Sequence, residues 1–358
     1  MKIDDKTSHN SPSIRFPEFT GEWEKCKIED ITDAVSSGKS KNHFSNGEYN
    51  LYGSTGIIGR TDKALYDGKL VLVARVGANA GFLQIINEPC GITDNTLILK
   101  PKGIDAFYLY YFLQHFNLNR LIFGSGQPLI TGGMLKKVKV SLGTISEQSK
   151  IVKFLSLLDE RIATQVRLIE DLKKLRCAVS NKLFQSVKGV VIPLSGISNI
   201  VKGKQINGDF LEEVGEYYVM NGGTEPSGYY DNYNVEANTI SISEGGNSCG
   251  YVQFNRMPFW SGGHCYTIQD IVSDVETLYL YHYLKSKEDS IMKLRIGTGL
   301  PNIQKKDLAE FKVIIPAIEQ QRTISNILSL LERKTEIEGR MLIAMRTEKQ
   351  YLLHQMFI

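Results

Sequence analysis

Four short stretches of the chain have residue types that could handle phosphate, a methyl donor or a metal. Ser36–Ser40, "SSGKS", has the Gly-Lys-Ser of a phosphate-cradling loop, but such a loop needs a glycine five residues before Gly38, and position 33 is Asp. "FGSG" at 123–126 has the glycines of an S-adenosylmethionine loop without the strand-to-glycine-to-helix setting. "NEPC" at 87–90 lacks the second proline and the aromatic residue of an amino-methyltransferase signature. Cys249, His264 and Cys265 could approach one another, but there is no C-x-x-C pair and no fourth ligand to make a zinc site. No nucleophile elbow or paired-carboxylate arrangement stands out. The sequence therefore shows no catalytic, cofactor or metal centre.

What remains is recognition chemistry. In the first half, Lys39, Lys41 and Asn42 stand in "GKSKNH", Ser54, Thr55 and Arg60 in "YGSTGIIGR", and Arg75 and Asn79 in "RVGAN". In the second half, Lys202, Lys204 and Gln205 stand in "KGKQIN", Asn221, Thr224 and Tyr229 in "MNGGTEPSGYY", and Asn247 and Ser248 in "EGGNS". Lys and Arg neutralise phosphates, while Asn, Gln and Arg can grip base edges with two hydrogen bonds. Glycine lets the backbone approach a ligand closely. Any one of these loops is equally what an ordinary solvated turn looks like. Together they keep a glycine frame while their polar side chains differ, the pattern expected of two related readers of different targets. Asn247 is expected to do in the second half what Arg60 or Arg75 does in the first.

The elements that position these loops come in two copies. "GSGQPLI" at 124–130 returns as "GTGLPNI" at 297–303. Upstream, "RVGANAGFLQIINEP" (75–89) matches "EGGNSCGYVQFNRMP" (244–258), and "YLYYFL" (108–113) matches "YLYHYL" (279–284). Downstream, "EQSKIVKFLSLLDERI" matches "EQQRTISNILSLLERKTE". The repeated loop is either a contact to a nucleic-acid backbone, through Gln127 and Asn302, or a rigid Gly/Pro turn joining helix to strand. Strands are expected at 69–76, 95–100 and 238–243, and a helix over "AFYLYYFLQHF", where Tyr108, Tyr111 and Phe112 read as core.

Each copy ends in a long amphipathic helix, at 147–184 and from 319 onward. Apolar residues recur every seven positions (Ile151, Leu158, Leu172, Val179; Ile324, Leu331, Met345, Leu352), with Gln165, Arg176, Thr335, Glu338 and Lys349 as interruptions. Such a seam wants another helix. At ~1.5 Å per residue the first would be ~57 Å long, too long merely to cover its own block. The expected fold class is thus α/β: a tandem duplication of a mixed α/β recognition domain and a long helix, the two helices pairing as an antiparallel coiled coil. The divisions are a disordered tail at 1–13, recognition domains at 14–145 and 189–318, and spacer helices at 146–188 and 319–358. Gly143 stands where the second copy has Pro316, and is expected to loosen the start of the first helix.

Bulk properties add bounds. The 358 residues are 42% hydrophobic, enough for more than one core, and no apolar run is long enough to span a bilayer. Five cysteines at scattered spacing suit reduced thiols in a cytoplasm. The net charge is +3, and the two helical stretches account for more than all of it. A nucleic-acid grip would therefore be local or shared with partners.

The opening "RFPEFTGEWEKCKIEDI" (15–31), the twice-used Gly-x-Gly-x-Pro loop and "IPAIEQQRTISNILSLLE" (315–332) resemble the specificity subunit of type I restriction–modification systems, over essentially the whole chain beyond the tail. The resemblance implies two domains, each reading one half of a split double-stranded DNA target, and helices that set the gap and dock two methyltransferase subunits. It also implies that S-adenosylmethionine, ATP and Mg²⁺ belong to partner subunits, with restriction/motor subunits joining for cleavage, and that this chain is not itself an enzyme. The alternative is a coiled-coil assembly scaffold without direct DNA readout.

Overall fold

The run "KLVLVA" has to be buried on both faces, because its apolar residues do not alternate with polar ones. In the structure, a computed structural model that describes residues 11–41, 47–122, 128–297, 299 and 301–358, this run is a central strand. The first half builds β1 (Glu24–Lys27), β2 (Thr32–Ser37), β3 (Tyr49–Gly53), β4 (Gly56–Thr61), β5 (Lys69–Ala74), β6 (Leu83–Asn87), β7 (Cys90–Ile92) and β8 (Thr96–Pro101). After these come α1 (Ala106–Phe116), α2 (Gly132–Lys136), β9 (Lys139–Leu142) and α3 (Ile145–Ser186). The sheets are four-stranded β2-β8-β5-β6, three-stranded β4-β3-β7 and the pair β1-β9. Val71 and Val73 of β5 face a core shared with Tyr108, Tyr111 and Phe112 of α1, all at most 1% exposed. Leu70 and Leu72 face a second core with Cys90 and Ile92, against which Tyr52 of the smaller sheet packs.

The second half repeats the plan. It runs through β10 (Val190–Pro193), β11 (Asn199–Lys202), β12 (Tyr217–Met220), β13 (Tyr229–Tyr230), β14 (Thr239–Ser243), β15 (Val252–Asn255), β16 (Trp260–Ser261) and β17 (Cys265–Gln269). Then follow α4 (Thr277–Ser286), α5 (Glu288–Met292), α6 (Lys305–Ala309), β18 (Lys312–Ile315) and α7 (Ile318–Met356). The sheets are β11-β17-β14-β15, β13-β12-β16 and β10-β18, matching the first half strand for strand. Here the faces of the central strand differ. Ile240 and Ile242 pack on α4, whereas Ser241 turns toward the buried Asn255, whose Nδ2 donates to its Oγ at 2.9 Å. The chain divides into two compact units, residues 1–166 with 340–358, and residues 167–339.

α3 and α7 pair as a coiled coil. In the first unit Ile151 and Leu155 share a core with Leu353 and Met356, and Leu158 lines a groove with Met341 and Met345, so the helices run antiparallel. In the second unit Val179 and Leu183 pack on the core that holds Ile324 and Leu328. Two of the interruptions in the apolar seam carry interhelical ion pairs, Lys349–Asp159 at 2.5 Å and Arg176–Glu332 at 3.1 Å. Each partner of one pair stands 173 positions from its counterpart in the other, so the duplication preserved the pair. Gln165 and Glu338 are buried at 5% and 4% exposure, and Thr335 returns its hydroxyl to the Leu331 carbonyl.

The start of α3 is held rather than loosened by Gly143. The Gly143 carbonyl accepts Gln148 Nε2 at 2.9 Å, as the Pro316 carbonyl accepts Gln321 Nε2 at 2.9 Å. A Cβ at position 143 would lie 2.3 Å from Glu147 Oε2 and 2.8 Å from Trp23 Nε1. Glycine is therefore what lets the fully buried Glu147 lie against the turn, where it accepts a fork of bonds from Arg15 at 2.6 and 2.8 Å and one from Trp23 at 3.1 Å.

Candidate nucleic-acid interface

In the second unit, β14 ends at Ser243 and the chain turns back to β15 through Glu244–Tyr251. Gly246 and Gly250 take φ of 74° and 91°, a left-handed backbone that side chains with a Cβ resist. The Gly250 N–H closes the turn on the Ser243 carbonyl at 2.8 Å. Pro301–Ile303, the end of the repeated Gly-x-Gly-x-Pro stretch, straps this turn: Gly246 N donates to Pro301 O at 3.0 Å and Ile303 N to Glu244 O at 2.8 Å. The first unit uses the same bonds, Gly77 N to Pro128 O at 3.1 Å and Ile130 N to Arg75 O at 2.8 Å, with φ of 76° at Gly77 and 90° at Gly81. The repeat thus fixes a tight turn beside the end of a central strand. The Gly-Lys pairs at 38–39 and 203–204 sit nearby for a second backbone reason. A Cβ on Gly38 would meet Ile92 O at 2.3 Å, and one on Gly203 would meet Gly262 O at 2.2 Å.

Around the second turn lies a cleft of about 540 Å³ that gathers five of the residues expected from sequence: Lys202, Asn221, Asn247, Ser248 and Asn302. They come from the end of β11, the loop after β12, the turn itself and the strap. Glu244 and His264 line it too. Glu244 is 7% exposed; its Oε1 takes Lys202 Nζ at 2.6 Å and lies 3.1 Å from the Tyr266 hydroxyl, while Oε2 has no hydrogen-bond partner among the described residues. Burial, and then the Glu244 carboxylate, hold the Tyr266 phenol well above its ordinary range, so it stays a donor. Asn221 also props the wall, its Oδ1 accepting His264 N at 3.2 Å. Lys204, Gln205, Thr224 and Tyr229 are not among the cleft's lining residues. The Tyr229 backbone pairs with that of Glu212, and the Lys204 carbonyl accepts Trp260 Nε1 at 2.9 Å.

The first unit spreads its expected residues. Lys39 and Lys41 line a cleft of about 360 Å³ with Lys63, a lysine the sequence reading passed over. Ser54 and Thr55 form the tip of the β3–β4 hairpin, whose carbonyls at Gly53 and Ser54 take Gln84 Nε2 at 2.9 and 3.1 Å. Glu88 locks the same hairpin, accepting from Asn50 and Tyr52 at 2.8 and 2.6 Å, and these bonds pull its carboxyl below the usual range. Arg60 gives one nitrogen to the Gly47 and Glu48 carbonyls at 3.2 and 3.1 Å, so part of its guanidinium serves its own hairpin. Asn79 is exposed on the Gly77–Gly81 turn. Arg75 stands where the chain leaves β5, with Nε buried and unpartnered among the described residues. Asn42, Gln127, Gly124–Gly126 of the first repeated loop, and Thr298 and Leu300 of the second lie outside the described residues.

Asn247 does not stand at the position of Arg75. The strap bonds place Glu244 at the position of Arg75, so equivalent sites carry opposite charges. Register along the matched stretches 75–89 and 244–258 was the signal for this. It was hidden because a lone glutamate inside a Gly-Asn-Ser loop does not look like a nucleic-acid contact. Cys249 and Cys265 each send their thiols to a backbone carbonyl, of Glu244 and Tyr266.

Comparison with known proteins shows where this arrangement recurs. The family model for the type I restriction modification DNA specificity domain matches twice, at residues 20–174 and 187–344. A protein of Mycoplasma genitalium, provisionally named a type I specificity subunit, is 25% identical over 94% of this chain and 94% of its own length. The type I restriction enzyme MjaVIII specificity subunit of Methanocaldococcus jannaschii is 24% identical over 75% of this chain and 73% of its own. The crystal structure of a type I restriction–modification system S subunit from M. genitalium superposes with a TM-score of 0.72 at 23% identity, covering 97% of this chain and 99% of that one, and so shares the fold.

Proposed function

Because the chain belongs to the type I restriction–modification DNA specificity family, we propose that each of its two recognition domains reads one half of a bipartite double-stranded DNA target. The paired helices fix the gap between the halves and seat two methyltransferase subunits. Those subunits hold S-adenosylmethionine and perform the methylation, and restriction/motor subunits that use ATP and Mg²⁺ join for cleavage. The chain itself is a non-catalytic reader working in the cytoplasm, where its DNA is. One observation carries this reading: the same strapped turn is built twice, with different polar side chains on each copy, Arg75 and Asn79 against Glu244 and Ser248. A conserved backbone cradle with exchanged side chains is what positions different base contacts in one frame.

The test is an exchange. Residues 14–145 are replaced by the equivalent block of a related specificity subunit, and the DNA methylated by the assembled complex is sequenced. One half of the methylated sequence should change, while the other half and the gap stay. Alteration of both halves, or of neither, would refute the assignment of one domain to one half-site.

A further inference from the structure

We propose that Glu244 is a base-reading acceptor of the second recognition domain, and that the base it takes presents an exocyclic amino group in the major groove, cytosine N4 or adenine N6. This rests on reading the cleft as a DNA interface. The Glu244 side chain is about nine-tenths buried, and the residue lines the cleft. Lys202 and Tyr266 fix Oε1 from one side. Among the described residues Oε2 has no hydrogen-bond partner, and His264 Nδ1 stands 3.7 Å from it on a side chain that is 63% exposed. Buried carboxylate oxygens are ordinarily satisfied, so an unpaired one in the wall of a cleft marks a bond still to be made.

DNA narrows what can make it. Phosphates and sugar oxygens offer this atom nothing, since phosphate oxygens only accept and a carboxylate repels them. In the major groove, cytosine and adenine present amino donors, whereas thymine presents O4 and guanine presents O6 and N7 as acceptors. The minor-groove amino group of guanine lies in a groove of only about 6 Å, too narrow for a cleft rimmed by the loops after β12, β14 and β16 and by the strap. Lys202 serves twice: it offsets the glutamate's charge near the DNA backbone and fixes the carboxylate plane. The first unit supports the reading by contrast. On the same cradle it places Arg75, whose unpaired Nε is a donor and suits an acceptor edge. The duplication has therefore inverted the hydrogen-bonding sense of one position while keeping its backbone.

The experiment uses the full chain assembled with its methyltransferase subunits, as wild type and as Glu244→Gln, Glu244→Ala and Glu244→Arg, with methylated sites sequenced and binding measured on duplexes substituted at each position. In the wild type one position of a single half-site should require cytosine or adenine. Glu244→Ala should lose discrimination there by roughly 5- to 150-fold, the span of one good base contact, with the other half-site unchanged. Glu244→Arg should move that position toward guanine. Glu244→Gln keeps an amide oxygen for Lys202 and Tyr266, and its melting temperature separates readout from folding. If a Gln or Ala variant that melts like wild type loses affinity equally for all sequences, Glu244 only positions Lys202 and the proposal fails. It also fails if the position relaxed is thymine or guanine in the wild type. A wild-type complex that selects no sequence overturns the reading of the cleft itself, and this inference with it.

Discussion

Replacing Glu147 with Ala should be among the costliest single changes in the first unit. The carboxylate has no solvent exposure and accepts three bonds, two from the Arg15 guanidinium and one from the Trp23 indole. Truncation leaves that guanidinium, whose side chain is 14% exposed, with Gly21 O as its remaining acceptor. Breaking a buried pair by removing one partner costs about 3–5 kcal/mol. The partial exposure of Arg15 lets water take over some of the loss, so the low end, about 3 kcal/mol, is expected. For a unit of this size each kcal/mol moves the melting point by roughly 2–4 °C, giving a fall of about 6–12 °C. Glu147→Gln keeps an acceptor and should lose about half as much. Trp23 and Trp260 are the two tryptophans of the chain, so with Trp260→Phe as background, fluorescence follows Trp23 in the first unit alone. A double-mutant cycle with Arg15→Ala should return a coupling above ~1 kcal/mol. A Glu147→Ala chain melting within ~2 °C of its parent, or a cycle with no coupling, would show that the buried fork contributes nothing net.

Four further outcomes are expected. The His282 imidazole, buried beside Arg176 and Arg256 and pushed down to about 4, resists protonation while folded. The unfolded chain takes that proton first, so the second unit should lose roughly 2–3 kcal/mol as pH falls from ~6.5 to ~4; denaturant titrations should show a smaller loss in His282→Gln. Gly203→Ala drives a Cβ to 2.2 Å from the Gly262 carbonyl and should cost roughly 1–3 kcal/mol by overpacking, read as a lower melting temperature with base preference unchanged. In the helix pair, Leu328→Asp puts a charge where the side chain is 1% exposed and should cost several kcal/mol, about the price of an unpaired buried charge. Lys349→Met, removing one side of a part-exposed pair, should cost about 1 kcal/mol or less, and analytical ultracentrifugation with thermal melts separates the two.

The duplication, the central strands and the long helices were legible in the sequence, because each is a local or periodic constraint. The run 69–74 had to be a strand buried on both faces, and apolar residues every seven positions had to find a second helix. The Gly-x-Gly-x-Pro repeat announced two equivalent sites, but not that its Pro and Ile would strap the preceding turn, since those bonds join residues more than fifty positions apart. Gly143 looked like a weak point because its reason, the carboxylate of Glu147 packed against it with Arg15 and Trp23, comes from distant segments. Arg60 looked free to bind, and tertiary pairing commits one of its nitrogens to the Gly47 and Glu48 carbonyls. Residue type and spacing alone determined that this chain is two related recognition blocks joined by pairing helices. Only tertiary structure decided which polar residues meet, because Lys202, Asn221, Glu244, His264 and Asn302 converge through sheet register and strap bonds, which depend on the whole folded backbone and leave no periodic mark in the sequence.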